Sequence, residues 1–197
     1  MAIRDRAHFI VVAPFLLAAL SASTGRAAPR QGQQDAKITP VVTQITRYAK
    51  ELAGKSDDAA REICARSSAS LMDLDAVVKV ASEDIRDKMT PAQHSAYRDA
   101  AMSWIIRRCV RENRDNKGEE PQIMGVRQGE SGDRLLALKT EDPAHFVIWR
   151  LRGEEKPRVV DVVMDGVSMA ITLRDETSAR LRQDDNDIDA MIRALNR

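Results

Sequence analysis

The hydrophobic pattern of this chain changes period once, across the charged stretch RENRDNKGEE at residues 111–120. Before it, apolar residues recur at helical spacing. Beyond it they alternate, and the period falls from about 3.6 to 2. Helices first and strands second predict an α+β domain. Its N-terminal helices would pack on a curved antiparallel sheet of four to five strands, with room for a pocket between the layers and a short C-terminal helix to finish.

The helical half reads clearly. Val41, Val42, Ile45, Tyr48 and Leu52 share a helical stripe, and Gly54 follows as a stop signal. Ser56 is placed to cap a second helix. Leu74, Val77, Val78, Val80 and Ile85 are the buried set of one or two short helices. The next start carries three signals together: Thr90 as N-cap, Pro91 in the first turn and Gln93 closing a capping box. The helix behind it has a wide apolar arc. Tyr97, Ala101, Trp104, Ile105 and Arg108 form one stripe, and Met102, Ile106, Cys109 and Val110 widen it.

Three strands are predicted at 121–128, 133–140 and 145–152, with turn signals in Gly129-Glu130-Ser131-Gly132 and Asp142-Pro143. VVDVVMDGVSMAITLRDE at 159–176 follows as a hairpin on Asp165-Gly166, a pair suited to a type I′ turn. Alternation puts Leu136 and Leu138, then Val147, Trp149 and Leu151, then Val160, Val162 and Met164 on one sheet face. Val167, Met169, Ile171 and Leu173 would complete it from the second arm. That face serves equally as ordinary core or as the wall of a cavity. The closing helix has Ile188, Met191, Ile192 and Leu195 on one side and Asp185 or Asn186 as its cap.

The N-terminus stands apart. Arg4 and Arg6 precede a 12-residue apolar run at 9–20, and Gly25 and Ala27 fit a cleavage site. The run is shorter than the roughly 20 residues a membrane-spanning helix needs. Residues 1–27 therefore read as a secretory signal peptide, and 28–37 as a polar, disordered lead to a single domain over 38–197. Cleavage after Ala27 removes three of 31 basic and one of 30 acidic side chains, leaving 28 and 29, a net charge of −1. A balanced surface lacks the basic footprint of a nucleic-acid binder. In an exported chain, Cys64 and Cys109 invite a disulfide; two buried free thiols are the alternative.

Reactive chemistry finds little support. His8 leaves with the signal, His94 sits among polar neighbours, and no HExxH, CxxC or Cys/His spacing suited to zinc is present. Asp184, Asp185, Asp187 and Asp189 lack the glycine and glutamate of a calcium loop, and read as capping and solvated charge. Ser168 is not in a Gly-x-Ser-x-Gly elbow. Asp161 is the one carboxylate inside an apolar strand. It would be a general base in a greasy pocket, an outer-face carboxylate, or the partner of an arginine such as Arg150 or Arg174.

The order of these motifs resembles one family. Thr90-Pro91-Ala92-Gln93 opens a long helix, and a strand ends in Asp161-Val162. Asp165-Gly166-Val167-Ser168 follows, then Arg174, then a final helix over Ile188–Leu195. This is similar to the MlaC proteins, also called toluene-tolerance or ABC-transporter auxiliary proteins, over about residues 38–196. Asp165 stands where the family has Glu, and Pro157-Arg158 where it often has Trp. The resemblance implies a non-enzymatic periplasmic carrier without a cofactor. Its cargo would be a phospholipid, or a hopanoid in a related branch, with the acyl chains between helices and sheet. Its partners would be an inner-membrane ABC transporter complex and an outer-membrane lipoprotein complex, and it would act as a monomer. The lining expected on this reading is Met102 and Ile106 from the long helix. Leu136, Leu138, Val147, Trp149, Val160, Val162, Met164, Met169 and Ile171 would come from the sheet.

Overall fold

The computed structural model describes residues 31–115, 117–118, 120–129, 131–141 and 144–197. Residues 1–27, expected as a signal peptide, residues 28–30 of the expected lead, and the expected Asp142-Pro143 turn lie outside the described residues. Helices come first: α1 (Gln31–Leu52), α2 (Asp57–Leu71), α3 (Leu74–Ala81), a 3-10 turn (Arg86–Lys88) and α4 (Pro91–Glu112). Strands β1 (Gln122–Gln128), β2 (Arg134–Glu141), β3 (Ala144–Arg152), β4 (Arg158–Met164) and β5 (Val167–Ser168) follow, then α5 (Met169–Gln183) and α6 (Ile188–Leu195). The five strands form one antiparallel sheet in sequential order. The α+β architecture read from the change of period is the architecture observed.

Local chemistry explains the boundaries. Ser56 accepts a hydrogen bond from the Ala59 amide and starts α2. Thr90 and Gln93 form the reciprocal capping box of α4, with Pro91 in its first turn, so two of the helix's orphan amide groups are satisfied at once. α1 begins at Gln31, so residues 31–37, expected as a disordered lead, are helical. Asp165 and Gly166 both have positive φ, 49° and 86°, as a type I′ turn requires.

Two further expectations are corrected. The second arm of the hairpin stays extended for two residues only. At Ser168 the side chain accepts from the Ile171 amide, and the chain turns into α5. A local cap thereby overrides the β character of the Val-Ser-Met-Ala-Ile run. In α6 the cap is Asp187, not Asp185 or Asn186. Those two residues are left-handed, with φ of 52° and 65°, and the Asn186 amide donates back to the Leu181 carbonyl. They stop α5, and Asp187 is left to start α6.

The core has two regions. Tyr97, Val77, Leu173, Met191 and Leu195 are fully buried where α3, α4, α5 and α6 meet. The Tyr97 hydroxyl donates to the Ala81 carbonyl and lies 2.9 Å from the Thr177 hydroxyl, and burial pushes its pKa up to about 12. The second region lies between α1, α2, α4 and the inner sheet face. Cys64 and Cys109 form a disulfide there, joining α2 to α4. At one end Met72 bridges Val159 in parallel, the Asp73 amide donates to the Val159 carbonyl, and Arg158 donates to the carbonyls of Ala69 and Met72. Helices and sheet are thereby pinned together at that end.

Candidate functional site: an apolar cavity between helices and sheet

The two layers do not close fully. A cavity of about 250 Å³ lies between them. Its helical wall is Ile45 and Ala49 of α1, Ser67, Ser68 and Leu71 of α2, and one stripe of α4. That stripe is Ile105, Arg108, Cys109 and Glu112, the i, i+3, i+4, i+7 positions that share a helix face. Leu138, Val147, Trp149, Val162 and Met164 form the sheet wall, with Val167 and Met169 beyond the turn. Leu138, Val147 and Met164 are direct cross-strand partners, as are Trp149 and Val162, so the wall is two adjacent apolar rows.

Polar liners come from particular places. Arg108, Glu112 and Asn113 belong to the last turn of α4 and its cap. Thr140 and His145 pair across the end of β2 and the start of β3. Arg108 and Glu112 form an ion pair at 3.0 Å. His145 Nδ1 lies 2.7 Å from Asp165, which also accepts from the Phe146 amide at 2.9 Å. The amide and then the imidazole hold the Asp165 carboxyl below its ordinary value. Ser67 and Ser68 are buried; the Ser67 hydroxyl donates to the Cys64 carbonyl.

Of the residues expected to line a pocket, Leu138, Val147, Trp149, Val162, Met164 and Met169 stand on the cavity wall. Five do not, each for an identifiable reason. Leu136 is fully buried in the core. Val160 is the extra residue of a β-bulge: Arg150 pairs with Asp161 while Leu151 pairs with Val159. The bulge shifts the alternation, so Val159 takes the inward place in the row. Ile171 is 37% exposed, because α5 buries Ala170, Leu173, Thr177 and Leu181 instead. Met102 and Ile106 pack against the core from the flank of α4, and the face one residue round, Ile105 and Cys109, meets the cavity.

Asp161 is accounted for without chemistry. It is 3% exposed and does not line the cavity. One carboxylate oxygen accepts from the Val162 and Ala170 amides, the other from the Ser168 hydroxyl at 2.7 Å. Asp161 pairs in register with Arg150, on the face opposite Trp149 and Val162, and Arg150 stands 3.8 Å away, so the outer-face and arginine-partner roles both hold, beside a larger role in starting α5. On the outer face, Asp133 is buried and takes Arg150 at 2.7 Å and Arg152 at 2.8 Å. Burial raises the Asp133 pKa, but the two guanidinium groups outweigh it and the net shift is downward. No group of three or more His, Cys, Asp or Glu suited to a metal is found among the described residues. No described helix is long and apolar enough to cross a membrane.

Fold and cavity together define an α+β protein whose two layers enclose an apolar chamber with charged groups on part of its rim. Residues 35–197 match the model of the MlaC protein family, and the chain belongs to that family. The fold is also that of a phospholipid-binding protein from Ralstonia solanacearum, solved in complex with a phospholipid. The two share 13% identity and a TM-score of 0.67, over 83% of this chain and 94% of that one. No curated protein matches the sequence.

Proposed function

We propose that this protein is a periplasmic phospholipid carrier, exported by the signal peptide at 1–27, and that it binds rather than transforms its cargo. The observation that carries the reading is the cavity: aliphatic and thioether side chains from β2, β3 and β4 face Ile45, Leu71 and Ile105 across it. Such a surface fits acyl chains. Each methylene moved from water into it contributes roughly 0.8 kcal/mol, so the chains supply affinity with no charged contact, while Arg108, Glu112 and His145 suit the polar end of a lipid. Family membership and the phospholipid-bound relative support the same cargo class. The carrier would take lipid from one membrane complex and deliver it to another, an inner-membrane ABC transporter complex and an outer-membrane lipoprotein complex. A hopanoid is the second cargo such a chamber would fit.

Transfer of a fluorescent phospholipid between donor and acceptor vesicles held apart by a porous barrier tests the reading. The protein is expected to carry lipid across in proportion to its concentration. Transfer no faster than in its absence would refute the carrier role.

A further inference from the structure

The cavity is small for its cargo. Pockets that enclose a drug-sized ligand run to roughly 300–1,000 Å³, and a diacyl lipid is longer than such ligands, whereas this cavity measures about 250 Å³. The sheet shows where more room is available. Its register places Ile123, Leu138, Val147, Met164 and Val167 in one row that crosses all five strands on the inner face. Four inter-strand steps of 4.7–4.9 Å make the row about 19 Å long. Its three middle members and Val167 line the cavity. Ile123 is one strand beyond the wall, on edge strand β1, and is 56% exposed.

Edge strands are commonly protected by charge, proline or irregularity. β1 has all three, Arg127, the preceding Pro121 and a bulge, yet its bulge still displays apolar surface. Ile123 pairs with Leu138 and Gly125 with Ala137, so Met124 is inserted between them, and Met124 is also 56% exposed. Two consecutive large apolar side chains thus stand in water at the open end of a row whose other members wall the chamber.

We infer that the β1 end of this row, Ile123 and Met124, is an acyl-chain subsite: a chain too long for the cavity continues across Leu138 and lies on the β1 edge. The inference rests on the carrier reading. It makes chain length a property the protein measures, with Ile123 as a determinant of the longer species.

The test loads the full mature chain from vesicles of phosphatidylethanolamine with either two ten-carbon or two eighteen-carbon chains, with native mass spectrometry as the readout. Ile123→Asp is expected to lower eighteen-carbon occupancy at least fivefold and to leave ten-carbon occupancy unchanged. Val80→Asp, at an apolar residue 37% exposed on α3, should change neither. Independently, an eighteen-carbon lipid with a diazirine at the chain end should crosslink the wild-type protein within the tryptic peptide 118–127. Equal effects of Ile123→Asp on both lipids, no effect on either, or crosslinks confined to β3 and β4 would overturn the subsite. Failure of the wild-type protein to take up either lipid would instead overturn the carrier reading beneath it.

Discussion

The Asp161 carboxylate and the Ser168 hydroxyl lie 2.7 Å apart, and this contact joins the end of the sheet to the start of α5. Ser168 caps the Ile171 amide while Asp161 takes the Ala170 amide, so two orphan donors of the helix are satisfied from outside it. Asp161→Ala leaves the Val162 and Ala170 amides and the Ser168 hydroxyl without their acceptor in a buried site, while Arg150 keeps Asp133. We expect a loss of about 3 kcal/mol in urea unfolding, the scale for breaking a buried, charge-assisted network. An unchanged midpoint would show that the contact has no structural role.

The disulfide closes a sequence separation of 45 residues between α2 and α4. Loop entropy at that length contributes on the order of 4 kcal/mol, which corresponds to roughly 8–16 °C in Tm for a domain of this size. A reductant, or the double variant Cys64→Ala/Cys109→Ala, should lower Tm by about that amount. Cys109 also lines the cavity, so the reduced protein should in addition lose lipid faster on dilution.

Trp149 faces the cavity, whereas Trp104 is buried in the core with its indole N–H donating to Glu176 at 2.7 Å. They are the chain's two tryptophans. A phospholipid with brominated acyl chains should quench most of the emission of Trp104→Phe, in which Trp149 remains. The same lipid should quench Trp149→Phe much less. Equal quenching of the two variants would place the chains elsewhere.

Asp133 carries the clearest pH dependence. Its folded pKa lies below the ordinary 3.8, because Arg152 and Arg150 outweigh the cost of burial. A depressed carboxylate contributes stability that is fully present above its unfolded pKa and is lost as pH falls through the folded one. Tm should therefore hold from pH 7 to about 5 and fall steadily below about 4. Asp133→Asn should lower Tm at pH 7 and flatten that acid limb. A parallel acid limb in the variant would contradict the assignment.

Much of this architecture was legible in the residues, and the misreadings share a cause. Thr90, Pro91 and Gln93 announce α4 because capping is local chemistry. Asp165-Gly166 announces its turn for the same reason. The hairpin arm beyond it failed because Ser168 can end a strand or cap a helix, and the deciding partner, Asp161, sits seven residues away on another strand. Val160 was misplaced because a bulge leaves no mark in an alternating apolar run. Met102 and Ile106 stood in for Ile105 and Cys109 because a helix with a wide apolar arc does not say which side meets a cavity and which meets core. Ser67, Ser68, Arg108 and Glu112 carry no pocket signature of their own. They reach the cavity only through the packing of α2 and α4 against the sheet.

The central claim is that the chamber between helices and sheet holds a lipid. Native mass spectrometry with lipid extraction, on protein purified without detergent from a periplasmic extract, tests it most directly. The account predicts a stoichiometric adduct at the mass of a phospholipid or hopanoid, lost in a variant that fills the chamber, Val162→Trp. Protein at its bare mass, with no lipid taken up from added vesicles, would contradict it and leave the apolar rows as ordinary core.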